Sequence, residues 1–261
     1  MNVLHTQVAL RDRPLVDVLD LSVRFLATHV AVYGRLSLMV LLPSFGVSWA
    51  IGSTFGWWWG WASALGLSLF AQAPFTALAS KLMFDVNVRA LDAFTAASNT
   101  LPRLFLARIL QAVVVAGGFV FLIFPSAWMA AGLFFVPEVV VLERAGGVSA
   151  LVRAQRILSG QFGDAMVGFL LLLCLFVASP FLGDAVGRAI LEDLLEIQAP
   201  DGVTVTGGGA LSLMGFWLFV PYLATARFLI YINLRTRTEG WDIQTRFAAI
   251  VAHASEGEVG T

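Results

Sequence analysis

The sequence predicts an all-α polytopic membrane protein, with six transmembrane helices in three hairpins, each hairpin preceded by a cytoplasmic interfacial amphipathic helix. Three observations carry this expectation. Hydrophobic residues make up 59% of the 261 positions and charged residues only 13%, with a mean hydropathy of +0.84. An ordinary globular domain carries about 25% charged residues, so this chain lacks the polar surface a soluble fold needs. The apolar residues gather in stretches near the ~20 residues that cross a bilayer as a helix. The basic residues concentrate in alternate connections. Together with a net charge of -1, these features exclude a soluble enzyme with a membrane tail, a disordered chain and a nucleic-acid binder.

Residues 1–14 read as a cytoplasmic tail. Arg11, Asp12 and Arg13 fall within it, and it lacks the apolar core of a signal peptide. A single six-span membrane domain follows over 15–253, with approximate repeats at 15–80, 88–142 and 148–234. In the first repeat, 15–28 is amphipathic, with Leu15, Val18, Leu19 and Leu26 on one side and Asp17, Asp20 and Arg24 on another. Spans at 36–54 and 58–80 follow, joined by the uncharged turn 52–57. In the second, 88–101 has Leu91, Phe94 and Leu101 apolar and Asp92, Thr95 and Asn99 polar. Its spans are 104–124 and 126–142, joined at Pro125. In the third, 148–158 sets Leu151, Val152 and Leu158 against Ser149, Arg153 and Arg156, before spans at 165–183 and 211–234. Between those last two, 184–198 has a helical spacing of Val186, Ile190, Leu194 and Ile197 that reads as an outer loop helix. Turn chemistry at 199–202, a β-prone run at 203–206 and a glycine hinge at 207–209 complete that loop. Residues 241–251 form a C-terminal interfacial helix and 254–261 a flexible tail. The alternative count is four spans with two re-entrant pairs.

The basic residues set the sides. Arg11, Arg13, Arg24 and Arg35 precede span one, Lys81, Arg89 and Arg103 separate spans two and three, Arg144, Arg153 and Arg156 separate four and five, and Arg235, Arg237 and Arg246 follow span six. The opposite side carries Arg188 among Asp184, Glu192, Asp193, Glu196 and Asp201. The positive-inside rule then puts both termini in the cytoplasm. Trp49, Trp57, Trp58, Trp59 and Trp128 fall near the outer interface, where indole is favoured.

Candidate chemistry is confined to a few polar groups. Cys174 stands alone in an apolar run, and His5, His29 and His253 match no metal spacing, so no metal and no cofactor is expected. No HExxH, GxSxG or Gly-rich phosphate loop occurs, and the chain reads as non-enzymatic. Ionisable groups at membrane depth are costly and are either paired or functional. Glu138, Arg108 and Arg227 all fall about 7–12 Å inside the cytoplasmic boundary at the helical rise. That permits a Glu138–Arg108 or Glu138–Arg227 pair, with Gln72, Gln111 and Asn233 as further members. One reading is a substrate or proton site, and the other is a structural staple between repeats. Span two carries Gly60, Ala64, Ser68, Gln72, Thr76 and Ser80 at four-residue spacing. Such small-residue spacing packs helices closely in lipid, within the monomer or between copies.

Two motifs carry a family resemblance. One is Val136-Pro137-Glu138 through Glu143, followed by Arg153, Leu158 and Gly160. The other runs from Tyr231 through Asn233, Arg235, Arg237, Glu239, Gly240 and Trp241 to Asp242. Together they resemble the bacterial membrane-domain group of glycerophosphoryl diester phosphodiesterase and its stand-alone six-span relatives. Ala154 and Asn233 stand where that group has Ser and Asp. The resemblance implies a six-span bundle of the bacterial inner membrane with no chemistry of its own, and the soluble domain's phosphodiesterase activity is not carried over. In the tail motif, Arg235 and Arg237 fall where anionic headgroups lie, at about 1 kcal/mol each, with Glu239 and Asp242 close enough to compensate them. Expected partners are membrane lipids, with other membrane proteins or a second copy as further possibilities, and no nucleic acid. Two functions follow. One is a scaffold or partner in a membrane assembly linked to envelope or lipid homeostasis. The other is a small transporter or channel with a cytoplasm-facing site around Glu138.

The side assignment is testable in a Cys174→Ala background. A membrane-impermeant maleimide applied to intact cells should label Asp201→Cys, and should reach Ser149→Cys only after permeabilisation. The reverse pattern would overturn the orientation.

Overall fold

The computed structural model describes residues 14–85, 87–120, 123–158, 160–200 and 202–239, and these are all helix and connection. The predicted N-terminal tail before Pro14, the C-terminal interfacial helix at 241–251 and the tail at 254–261 lie outside the described residues. In chain order the helices are α1 (Leu15–Thr28), α2 (Val30–Phe55), α3 (Trp57–Leu82), α4 (Ala90–Ser98), α5 (Leu101–Phe119), α6 (Ile123–Gly132), α7 (Val136–Glu143), α8 (Val148–Leu158), α9 (Phe162–Ala189), α10 (Val203–Thr206) and α11 (Ala210–Glu239). Six helical stretches are long and apolar enough to cross a membrane: Val30–Phe55, Trp57–Leu82, Leu101–Gly118, Pro125–Glu143, Phe162–Leu194 and Ala210–Arg237. By helix composition the chain is a multi-pass membrane protein.

Burial ranks these stretches. Of their apolar windows, 72% is buried in α11 and 61% in α3, against 17% in α2 and 22% in the α9 stretch. Thus α3 and α11 form the centre and α2 and α9 flank them. The hairpins close on small residues. A Cβ on Gly60 would lie 2.8 Å from Gly52 Cα, one on Gly118 would lie 2.8 Å from Ser126 Cα, and one on Gly183 would lie 2.8 Å from the Gly215 nitrogen. Backbones approach this closely only where no side chain intervenes, which is how helices pack in lipid. The α9–α11 closure and the α2–α3 closure share one end of the bundle. There Trp61 Nε1 donates to Gly207 O at 2.8 Å, and a Cβ on Gly208 would run into the Trp57 ring at 2.7 Å. We call this the loop end. The other, where Arg237 Nη1 meets Asp164 Oδ2 at 2.7 Å, is the arginine end.

The second hairpin departs from the expected arrangement. Trp128 on α6 stacks on Phe162, the first residue of α9, at 4.2 Å, and Phe134 meets Phe169 edge-on at 5.5 Å. Hence α6 runs alongside the first turns of α9 and in the same direction. Phe162 is about 30 Å along α9 from Gly183, so Trp128 lies toward the arginine end. Trp128 therefore does not join the other tryptophans at the loop end. The expected span at 126–142 is broken at Leu133–Phe135 into α6 and α7, within a single stretch, Pro125–Glu143, that is long and apolar enough to cross a membrane. On α7, Glu138 meets Arg227, and Glu143 meets Tyr231 and Arg235. The break is buried, with Leu133 at 1% and Phe135 at 0% exposure, and irregular backbone at membrane depth is stable only in such a place.

Three further expectations change. The outer helix at 184–198 is not separate, because α9 continues through a π-turn at Ile190–Leu194, with Arg188 Nε on Asp184 Oδ2 at 3.2 Å. The β-prone run forms the helical turn α10, closed by Gly207 at φ +75°. The first span begins at Val30, separated from α1 only by the non-helical His29 at φ -110°. All three short helices are present ahead of a long one, and their buried faces match the expected apolar faces to different degrees. α8 buries the expected Leu151 and Leu158, with Ala150, Ala154 and Ile157, but leaves Val152 exposed. α1 buries the expected Val18 together with Ser22 and Phe25. α4 departs most, burying Ala90, Ala93 and Ala97 while Leu91, Phe94 and Leu101 face outward. Lipid gives large apolar groups no reason to turn inward, so in α4 the small residues make the helix contacts.

Alanine substitution separates packing from propensity. Gly183→Ala and Gly215→Ala should each lower stability in detergent by about 1–3 kcal/mol through overpacking. Gly46→Ala, with nothing within 4 Å of its Cβ position, should be neutral or stabilising by up to about 1 kcal/mol. Thermal unfolding of the purified chain checks both.

Candidate intramembrane polar site

The break at Leu133–Phe135 lies beside the place where the polar groups meet. Glu138 is in the first turn of α7, just after the break. Arg227 faces it from the middle of α11, about 18 Å along the helix from Gly215 and about 15 Å from Arg237. Arg227 Nε donates to Glu138 Oε1 at 2.5 Å. Glu138 is 0% exposed and Arg227 7%, so both charges have left water. Such a pair is held only by good geometry and by satisfying its remaining atoms. The Phe134 ring adds a cation–π contact, 5.8 Å from Arg227 Cζ.

Arg108 does not pair with Glu138. On α5 its Nη1 donates to Gln111 Oε1 at 3.0 Å, and Gln111 Nε2 donates in turn to Leu133 O at 3.1 Å. At the α6–α7 break that carbonyl also accepts from Val136 N at 3.2 Å, so Gln111 supplies its second hydrogen bond. Several atoms remain without partners among the described residues: Arg108 Nε and Nη2, Arg227 Nη2 and Glu138 Oε2. Arg108, Arg227, Gln72, Gln111 and Ser68 line a cavity of about 350 Å³, whose other walls include Leu65, Leu69, Phe134, Leu173 and Phe176. The small-residue stripe of α3 therefore divides. Gly60 seats α2, Ala64 is buried at 0% exposure, and Ser68 and Gln72 face the cavity. Asn233, expected in this cluster, does not line the cavity.

At the arginine end a second set of groups ties α7, α8, α9 and α11 together. Glu143 accepts from Arg153 Nε at 3.0 Å, Tyr231 Oη at 2.7 Å and Arg235 Nη1 at 3.1 Å. Arg235 meets Glu143 and Arg237 meets Asp164, while the expected compensation of these arginines by Glu239 and Asp242 falls outside what the described residues show. The side chains of Glu239 and Asp242 lie outside the described residues. Glu143, Asp164, Tyr231 and Arg153 were not singled out as site residues. The available signal was their position, with acids at helix ends level with the basic clusters. A wider cavity of about 750 Å³ opens beside this set, lined by Lys81, Asp85, Asp92, Glu143 and Arg235 among others. Its charges are of mixed sign and select no one class of ligand. Among the described residues no three His, Cys, Asp or Glu side chains gather as a metal site would require.

The buried pair makes an ordered prediction. Glu138→Leu should destabilise the detergent-solubilised chain by about 3–5 kcal/mol, because it strands a buried guanidinium. Glu138→Gln keeps an acceptor and should cost less, about 1–3 kcal/mol. Thermal unfolding of both variants tests the order, and equal losses would contradict the ion-pair account.

Comparison with family models, with curated proteins and with solved structures finds no match to this chain.

Proposed function

We propose that this multi-pass protein binds a charged cargo at the intramembrane site and acts as a small, non-enzymatic transporter or carrier. The observation that supports the reading is the cavity beside Arg108 and Arg227, in which buried guanidinium donors have no partner among the described residues. A purely structural staple would pair those donors, since unsatisfied buried polar atoms cost about 1–3 kcal/mol each, and more when charged. The two arginines outnumber the one carboxylate, so the site carries an excess positive charge. In this reading the chain belongs to the bacterial inner membrane. Both termini face the cytoplasm, and α1, α4 and α8 lie along the inner interface, with Leu91 and Phe94 of α4 in lipid. Kinship with the phosphodiesterase membrane-domain group is part of the same proposal and rests on the two sequence motifs.

The alternative, a scaffold in a membrane assembly, has a distinct signature. Native mass spectrometry after mild-detergent purification should find one small molecule or lipid per wild-type chain. Arg108→Gln should lose it while keeping wild-type helicity. A stoichiometric partner protein retained by both forms, with no small-molecule adduct on either, would favour the scaffold and sink the carrier reading.

A further inference from the structure

Resting on the carrier reading, we infer that the site takes an amphiphile with a single anionic head, carboxylate or phosphoryl, and a hydrocarbon chain that reaches the cavity sideways from the bilayer. The head end is defined by charge. Arg227 is more than nine-tenths buried, and its Nη2 has no partner among the described residues. Arg108 presents Nε and Nη2, also unpartnered, at the same cavity. Glu138 neutralises one guanidinium of the two, which leaves about one positive charge uncompensated at mid-depth. A monoanionic head supplies the missing charge, and its oxygens accept the orphaned N–H groups in the bidentate manner guanidinium favours.

The tail end is defined by the walls. On the α3–α9 flank the cavity is bounded by Leu65, Gly66, Leu69 and Leu173. Those leucines are 46%, 40% and 42% exposed, and a Cβ on Gly66 would meet nothing within 4 Å. This flank faces where lipid chains run, so the opening leads into hydrocarbon and not into water. A hydrophilic anion would have to cross that hydrocarbon to enter. An amphiphile already dissolved in the leaflet brings its chain with it. The volume of about 350 Å³ is at the lower end of ligand pockets. It accommodates a head and the first part of one chain, with the remainder left in the bilayer.

The test uses the full chain in phosphatidylcholine nanodiscs loaded with laurate, dodecyl phosphate, dodecanol or dodecyltrimethylammonium, read by native mass spectrometry. One laurate or dodecyl phosphate should be retained per chain, with dodecanol and the ammonium retained at least about tenfold more weakly, as loss of a charge-assisted contact requires. Arg108→Gln should weaken laurate by about tenfold or more. Leu69→Trp, which leaves the arginines intact and blocks the mouth, should do the same, and it carries the test if Arg108→Gln does not fold. Equal retention of dodecanol, or laurate binding indifferent to Leu69→Trp, would overturn the inference. Acetate or inorganic phosphate bound as tightly as laurate would replace the amphiphile by a small anion and leave the carrier reading standing. If no probe binds while the purified chain still carries an adduct that Arg108→Gln removes, the ligand class fails and the site survives. If no probe binds and there is no adduct, both fail.

Discussion

The buried pair of Glu138 and Arg227 is the contact on which the arrangement of the interior depends. Neither charge tolerates isolation in a low-dielectric medium, so α7 must lie against the middle of α11. The stretch breaks at Leu133–Phe135 between α6 and α7, and there Leu133 O accepts from Gln111 Nε2 at 3.1 Å. Gln111 in turn holds Arg108 at 3.0 Å and directs it to the same cavity as Arg227. One ion pair thus links the break between α6 and α7, the placement of α5 and the polar cavity at mid-depth.

Packing elsewhere follows the rule of a hydrocarbon solvent. Close contacts between long helices fall at Gly52 and Gly60, and at Gly183 and Gly215. The short helix α4 turns its alanines inward and its Leu91 and Phe94 outward. In water the hydrophobic effect would favour the opposite faces, but lipid offers leucine as good an environment as the interior does. Dispersion between closely approaching backbones then decides the interface. The central position of α3 and α11 is part of the same logic, since each supplies small residues where neighbours cross.

The arginine end is held together by ion pairs. Arg153, Arg235 and Arg237 belong to the basic clusters of the sequence. Through Glu143 and Asp164 they fasten α7, α8 and α9 to the end of α11. Tyr231 contributes its hydroxyl to Glu143 from one turn before Arg235. The carboxylates that make this possible are spread over separate helices, and sequence proximity does not reveal them.

Composition and run length alone determined that the chain is all-α, that six stretches are long and apolar enough to cross a membrane, and where the basic residues alternate. These properties depend on the summed transfer of each segment into lipid and need no knowledge of its neighbours. The short helices were legible for the same reason, and so was the depth match of Glu138 with Arg108 and Arg227, because helical rise converts sequence separation into depth. Only the tertiary structure decided that Arg227 and not Arg108 is the partner, that a break separates α6 from α7, that Asp184 continues α9, and that Asn233 stays away from the cavity. Each of these turns on which side of a helix meets which neighbour. In lipid that choice is made by shape complementarity between small residues and by long-range charge pairs, and neither leaves a periodic signal in the hydropathy of a single strand of sequence.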